Sequence, residues 1–531
     1  MIATASTIDA LRQASNDRIN EIKNTANRAV SGTVYYVSSS TGNDNNSGTS
    51  PDAPLKTLSK ASGKSGTGYT ICLKRGDTWR GESLTPKTKV TITAYGEGPK
   101  PVLMASRENG GGATNASKWE DMGNNIWKYE GSNTWDDVGN IVFNDGADGY
   151  ATKIVQLYVY AKGGTQQITD FTNAPAQKYT FNSYTDLKND LDFYHDKPFD
   201  GGSGTTNYLY MYSSKGNPAL RFNSIEFAED IKLVDTDADG VTVDNICFKY
   251  TGGHAVAGSA HNALNTQVED LTVENCEFYW IGGSIHERIN QSDIGEYTYD
   301  PDTGLNDPKY DTRYGNAIEI YGGCDGFLAK NNYIYQVFDA GITIQLTMSS
   351  STSKYVTYDQ ENIEFSDNVI EYCNYSIEYF LTKIPSNNSS KINNFVIENN
   401  YMWNAGYGFC ETRMLWARGF AGHIKSQFTS PCNRAEGFEI TGNKMMFAKD
   451  SFLQIRNSFG TQHMPYFDNN ELYGYYDFEG TAGNGGYRLG EVRVKSDDKQ
   501  EWTSFDNTID AYLSENMGSQ YGANNKYYYV F

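Results

Sequence analysis

The stretch Asn332-Tyr-Ile-Tyr-Gln-Val-Phe-Asp-Ala-Gly-Ile-Thr-Ile344 decides how this chain is read, because its pattern returns three times further along. Asn368-Val-Ile-Glu-Tyr-Cys-Asn-Tyr-Ser-Ile-Glu378, Asn400-Tyr-Met-Trp-Asn-Ala-Gly-Tyr-Gly-Phe409 and Asn443-Lys-Met-Met-Phe-Ala-Lys-Asp-Ser-Phe452 each set an Asn at a turn, an apolar residue two places on, and then a second apolar cluster. Two earlier copies, Val243-Asp-Asn-Ile-Cys-Phe248 and Val273-Glu-Asn-Cys-Glu-Phe278, carry Ile246 and Cys276 in place of the Asn. Repetition at about 24 to 43 residues marks units that bury a core only against their neighbours. The units are strand-sized and alternating, with no helical period, so they predict an all-β stack, a single-stranded solenoid. The recurring Asn suits such a stack twice over. It tolerates the left-handed conformation of a tight bend, and stacked amides can hydrogen-bond along their column.

From Val34 onward these features resemble the right-handed parallel β-helix of the pectate-lyase-like superfamily. The segment beginning Tyr35-Tyr-Val-Ser-Ser-Ser-Thr-Gly-Asn-Asp44 and running to Ala61 is similar to the opening of many bacterial and phage β-helix proteins. The resemblance implies a carbohydrate-active protein and specifies no single reaction.

Composition narrows the partners. A net charge of −21 argues against nucleic acid, whose phosphates demand a basic surface, and against an anionic membrane. A neutral sugar, or an acidic one held by local Arg and Lys, fits. The 52 Gly and 40 Tyr of the 531 residues suit a turn-rich all-β protein with a large core. Seven Cys without Cys-x-x-Cys pairs read as buried thiols, with Cys276, Cys373 and Cys410 inside repeat units. No run reaches the length of a membrane span, and residues 1–30 lack the apolar core of a signal peptide. A virion tail or the cell exterior is the expected location.

Five regions follow in order: a helix or neck at 1–31, first coils at 32–105, an inserted β-rich region at 106–239, the main coils at 240–457 and a C-terminal cap at 458–531. In the first region Ile8, Leu11, Ser15, Ile19, Ile22, Ala26 and Ala29 recur every three or four residues, a narrow seam on a short helix. Such a seam calls for a partner. A trimeric coiled coil through residues 6–30 resembles the neck of phage tailspikes, and a cap over the open end of the solenoid is the other reading. Asp235 to Gly240 has calcium-loop spacing, but Ile246 stands where a ligating Glu belongs, so a turn is expected there and no metal or cofactor is required.

The main strands of successive coils are expected at Val256, Ile285, Ile318, Ile342, Ile377, Phe409 and Phe452. Excess length then falls after the strand, at 286–313, 346–361, 381–394 and 411–436. Insertions at one corner build the walls of a groove, and these are rich in Tyr, Asn, Asp and Ser, which suit sugar rings and hydroxyls.

Alternation sends Ile318 and Ile320 inward and Glu319 outward, with Tyr321 close by. The same outward column is expected to hold Thr343, Glu378 and Glu411. With rungs about 4.8 Å apart, Glu319 and Glu378 would lie roughly 9 to 10 Å apart and Glu378 and Glu411 near 5 Å. Paired carboxylates at those separations serve inverting and retaining glycoside hydrolysis respectively. Asp339, at a bend among apolar neighbours, is a candidate for a raised pKa and thus for a general acid. His254, and His286 with Glu287, occupy corresponding corners and could bind substrate or move a proton. Arg313 could anchor an acidic sugar.

The reading is a glycoside hydrolase that depolymerises a bacterial surface or cell-wall polysaccharide, with Glu319, Asp339 and Glu378 as the catalytic set. Arg313, His254, His286, Glu287, Tyr321 and Glu411 would bind substrate. A phage tailspike follows if the helix is a neck. A polysaccharide lyase of the same fold and a non-catalytic glycan-binding adhesin or fibre stay open.

Overall fold

The computed structural model describes residues 1–530 apart from 65–66, 155–158, 162–164, 171–176, 180–182, 196–207, 260–267, 288–298, 301–304, 307–311, 348–358, 383–389, 411–420, 429–432, 450, 458–460, 476–490 and 496–507. The chain is mostly β, and the strands of its main sheets stack in parallel. One sheet runs Thr33–Val37, Tyr69–Lys74, Thr91–Tyr95, Thr242–Asp244, Val268–Glu274, Cys324–Lys330, Gln360–Ser366, Ser390–Glu398, Asn433–Thr441 and Tyr466–Asp468 in spatial order. Two further parallel ladders are joined because the long strands Tyr333–Thr347 and Val369–Thr382 pass through both. The second ladder carries Cys247–Thr251, Glu277–Ile281, Tyr401–Ala405, Lys444–Ala448, Glu471–Tyr475 and Lys526–Val530. The third carries Val234–Asp235, Val256–Ser259, Ile318–Tyr321, Gly422–Phe428, Ser451–Asn457 and Glu491–Lys495.

Register explains the core. Ile71, Ile92, Val243, Val273, Ala329, Phe365, Ile397, Ile440 and Phe467 pair rung by rung in one column of the first sheet, and all are buried. Side chains of period two on stacked strands leave one face of each rung apolar, and only the next rung covers it.

The Asn column lies at the turn from the first sheet to the second ladder. Asn332 Nδ2 donates to Asn368 Oδ1 at 3.1 Å, Asn368 Nδ2 to Asn400 Oδ1 at 3.0 Å, Asn400 Nδ2 to Asn443 Oδ1 at 2.9 Å and Asn443 Nδ2 to Asn470 Oδ1 at 3.1 Å. Each amide also caps a backbone N–H of the rung before it, as Asn368 Oδ1 does for Asn332. The left-handed residue, however, is the one before: Asn331, Asp367, Asn399, Gly442 and Asn469 have positive φ. Bend and ladder are thus divided between neighbours, because the inward amide must keep an extended backbone to reach the column.

Two expectations about the coil count change. Ile285 lies in Ser284–Glu287, which pairs antiparallel with Thr312–Tyr314, and Val256 is followed directly by Ile318 in the third ladder. Phe409 sits in a short helical turn, Gly408–Cys410, and Ile424 fills the rung after Ile377. Leu453, one residue beyond Phe452, pairs with Ile424. Excess chain therefore leaves from two corners. Residues 348–359 and 383–389 follow the third ladder as expected, whereas 282–317 and 406–421 lie between the second and third. The region between Val102–Met104 and Val234–Asp235 departs from that same corner, since both strands pair with the next coil directly. It builds a five-stranded sheet of its own, including Ile126–Tyr129 and Leu209–Tyr212, over a second apolar cluster around Trp119, Tyr129 and Phe227.

The amino-terminal helix, Ala5–Lys23, neither caps the stack nor offers its seam outward. Leu11, Ser15, Ile19 and Ile22 are buried along the outer side of the second ladder. Ser15 Oγ accepts from Trp403 Nε1 at 2.9 Å, Arg12 stacks on Trp403 and pairs with Glu371, and Ile22 packs with Tyr333 and Val369. A helix of 19 residues is about 28 Å long, close to six rungs. The seam thus has its partner within the chain, which removes the reason for a coiled-coil neck. At the first rungs it is the short helix Leu58–Ser62 that places Leu58 and Ala61 in the core. The period also outlasts Asn457: Asn470 and Asn525 extend the amide column, and the helix Ile509–Met517 buries Ile509, Leu513 and Met517 in the main core. No helix among the described residues is long and apolar enough to cross a membrane. Cys72, Cys247, Cys276, Cys324, Cys373 and Cys410 are buried free thiols.

Candidate functional site

The site forms where the third ladder begins, because three excursions of the chain leave at that corner. In the third ladder Ala257, Glu319, Thr343, Glu378, Lys425 and Gln454 share one register column. Glu319 and Glu378 are therefore two rungs apart on one side, with Thr343 between them. The rung after Glu378 carries Lys425, while Glu411 lies outside the described residues. On that rung Lys425 Nζ pairs with Glu378 Oε1 at 2.6 Å and also lies over the Tyr375 ring at 4.2 Å. The excursion at 406–421 shifts the alignment that sequence spacing implied.

Glu319 is outward yet only 5% exposed, and its carboxylate is held from several sides. Asn316 Nδ2 donates to Oε2 at 2.6 Å, and His254 Nδ1 lies 2.9 Å from the same oxygen. Burial works to raise its pKa, but His254 and the donors Asn316 and Gln345 outweigh that and hold it below the usual carboxylate range. For His254 burial works to lower the pKa, and the Glu319 carboxylate turns the balance upward. The Asn316 N–H also points at His254 Nδ1, at 3.1 Å, and favours the form in which that nitrogen is bare. The Coulombic attraction of the buried pair is the stronger effect, so the imidazolium–carboxylate form is favoured.

Asp339 is buried at the irregularity of the strand Tyr333–Thr347, where pairing shifts between Val337 and Ala340. Its amide donates to Gly315 O at 3.2 Å, and Asn316 Oδ1 accepts from the Ala340 amide at 2.7 Å. Asn316 thereby ties the Asp339 bend to Glu319. Arg313 is not presented to a ligand: its guanidinium donates to the Gly283 and Gly139 carbonyls at 2.7 and 3.1 Å and lies over the Phe338 ring. His286 and Glu287 belong to the strand Ser284–Glu287, and their side chains lie outside the described residues. Tyr321, two residues beyond Glu319 on the same face, is 36% exposed.

Four groups at this corner escaped the sequence reading. Asp230 Oδ1 accepts from Tyr314 Oη at 2.7 Å, and the Tyr314 ring meets His254 edge-on, centroids 4.9 Å apart. Asp137 Oδ2 accepts from Lys153 Nζ at 2.6 Å and from the Ile285 amide at 2.9 Å. Burial pushes Asp230 up to about 6, aided by the Asp137 charge and opposed by the Tyr314 hydrogen bond. Burial lowers Lys153 to about 8. Asp137, Lys153 and Asp230 precede the first full coil, in sequence without a period, so no register could align them with His254.

No family model matches the chain. A lacto-N-biosidase of Bifidobacterium longum subsp. longum is 34% identical over 125 residues. The match is short. It takes in 21% of this chain and 7% of that protein's length. Among solved structures, a glycoside hydrolase aligns over 83% of this chain and 93% of its own at 11% identity, with a TM-score of 0.38. The GH136 lacto-N-biosidase from Eubacterium ramulus aligns over 99% and 71% at 12% identity, with a TM-score of 0.33. PfbA, a surface adhesin of Streptococcus pneumoniae, aligns over 89% and 86% at 11% identity, with a TM-score of 0.26.

Proposed function

We propose that this chain is a glycoside hydrolase built on a right-handed parallel β-helix, acting outside the cell on an oligosaccharide laid across the outer side of its third ladder. The observation that carries the reading is Glu319: an outward carboxylate kept ionised by His254, Asn316 and Gln345, beside the half-exposed acid Asp230 and the exposed ring of Tyr321. An ionised and a protonatable carboxyl set apart by their surroundings are what glycosidic cleavage needs. The stretch shared with lacto-N-biosidase supports the class and suggests lacto-N-bioside as the unit to try first.

A tailspike depolymerase rests on a helical neck, and burial of the Ala5–Lys23 seam on the second ladder favours an enzyme of oligosaccharides over that assignment. A lyase needs a base on this face, and Lys425 is ion-paired with Glu378. Incubation with p-nitrophenyl lacto-N-bioside and with a panel of bacterial capsular polysaccharides tests the proposal. Release of p-nitrophenol or of new reducing ends supports it. Binding without any cleavage would mark an adhesin, and an unsaturated product a lyase.

A further inference from the structure

We propose that Asp230 is a catalytic residue, the general acid that protonates the leaving oxygen, with Glu319 as its ionised counterpart. The assignment rests on the hydrolase reading above.

Three consecutive rungs place the groups in vertical order. Val234, Val256 and Ile318 pair in register at the start of the third ladder, and Asp230, His254 and Glu319 lie within a few residues of them. His254 touches Glu319 at 2.9 Å, and against burial both carboxylates raise its pKa; Tyr314 links the two acids, its hydroxyl donating to Asp230 and its ring meeting His254 edge-on. Asp230 is half-buried, as are His254 and Tyr314, whereas Glu319 and Asp339 are nearly closed off from solvent. Asp230, His254 and Tyr314 are therefore the members of this cluster that reach solvent.

Space for that carboxyl is built in. A Cβ on Gly253 would stand 2.4 Å from Asp230 Oδ1, so a side chain there would displace the carboxyl from this position. Tyr314 Oη fixes Oδ1 at 2.7 Å. Glu378, the alternative second carboxyl, is instead neutralised by Lys425. The groups facing Asp230 are Tyr314 from the Thr312–Tyr314 strand, His254 from the turn after Cys247–Thr251, Asp137 before Val138–Phe143, and Lys153 from Thr152–Lys153. Asp137 opposes ionisation of Asp230, and Tyr314, His254 and Lys153 promote it.

In the step, the Asp230 proton passes to the glycosidic oxygen as its bond to the anomeric carbon breaks. Water forms the new bond to that carbon and gives a proton to Glu319. Glu319 releases that proton and Asp230 regains one from solvent, which restores both groups.

The test uses the full chain and two lacto-N-biosides, one with the acidic p-nitrophenol leaving group and one, methyl lacto-N-bioside, with the poor leaving group methanol. Loss of a general acid hurts a poor leaving group most. Asp230→Asn is expected to lower kcat/KM by on the order of a thousandfold for the methyl glycoside and about tenfold for the aryl one. Tyr314→Phe removes the bond that favours ionised Asp230, so the alkaline limb of the kcat/KM profile should move to higher pH while folding is kept. Equal losses on both substrates, or an unmoved limb in Tyr314→Phe, would overturn the assignment. If the wild type cleaves neither these glycosides nor any polysaccharide of the panel, it is the hydrolase reading that fails.

Discussion

Asn368 Oδ1 accepts two hydrogen bonds from Asn332, from the backbone N–H at 2.9 Å and from Nδ2 at 3.1 Å, inside a column whose members from Asn332 to Asn470 are buried. Asn368→Ala would strand both donors. Because an unsatisfied buried group costs about 1–3 kcal/mol, the loss of stability should reach about 2–4 kcal/mol. Urea titration would show it as a lower midpoint, and a change within error would mean that the column does not hold the coils in register.

The amino-terminal helix makes a second expectation. Ile22 is fully buried between Ile19, Tyr333 and Val369. Ile22→Ala should destabilise the fold by about 2–4 kcal/mol, as for a core truncation, without changing the mass seen by light scattering. A drop in mass would show instead that the seam joins chains.

The His254–Glu319 pair should leave a signature in pH. Its His254 contribution is fully present below the ordinary pKa of about 6.5 and is lost as pH rises through the raised folded value. The Glu319 contribution is present above its ordinary pKa and is lost as pH falls through the lowered one. The melting-temperature gap between wild type and His254→Gln should therefore be largest near pH 5 to 6 and shrink above neutrality. A gap that grew with pH would contradict the ion pair.

Glu378 and Lys425 behave as a unit. Lys425→Met leaves a nearly buried carboxylate unpaired, at a cost of about 3 kcal/mol, and adding Glu378→Gln should recover most of it. Thermal melts of the two single variants and the double variant would reveal the coupling, and additive losses would argue that the pair is incidental.

Much of this was legible because stacking is periodic. Alternation around Ile318 and the bare 24-residue spacing to Ile342 placed Glu319, Thr343 and Glu378 in one column without coordinates. The same logic failed at Ile285 and Phe409, because an apolar residue in an excursion looks like one in a coil. It could not find Lys425, beyond such an excursion, nor Asp230, in the region that leaves before the first full coil. The helix seam was visible in sequence, but periodicity says only that a face is covered. Its partner, Trp403 and its neighbours, is a matter of tertiary packing.

The most direct measurement is the turnover of p-nitrophenyl lacto-N-bioside by wild type and by Glu319→Gln, each checked by circular dichroism. The account predicts cleavage by the wild type and at least about a hundredfold lower kcat in the folded variant, the scale of a lost acid–base group. A folded Glu319→Gln protein that turns over at the wild-type rate would contradict it.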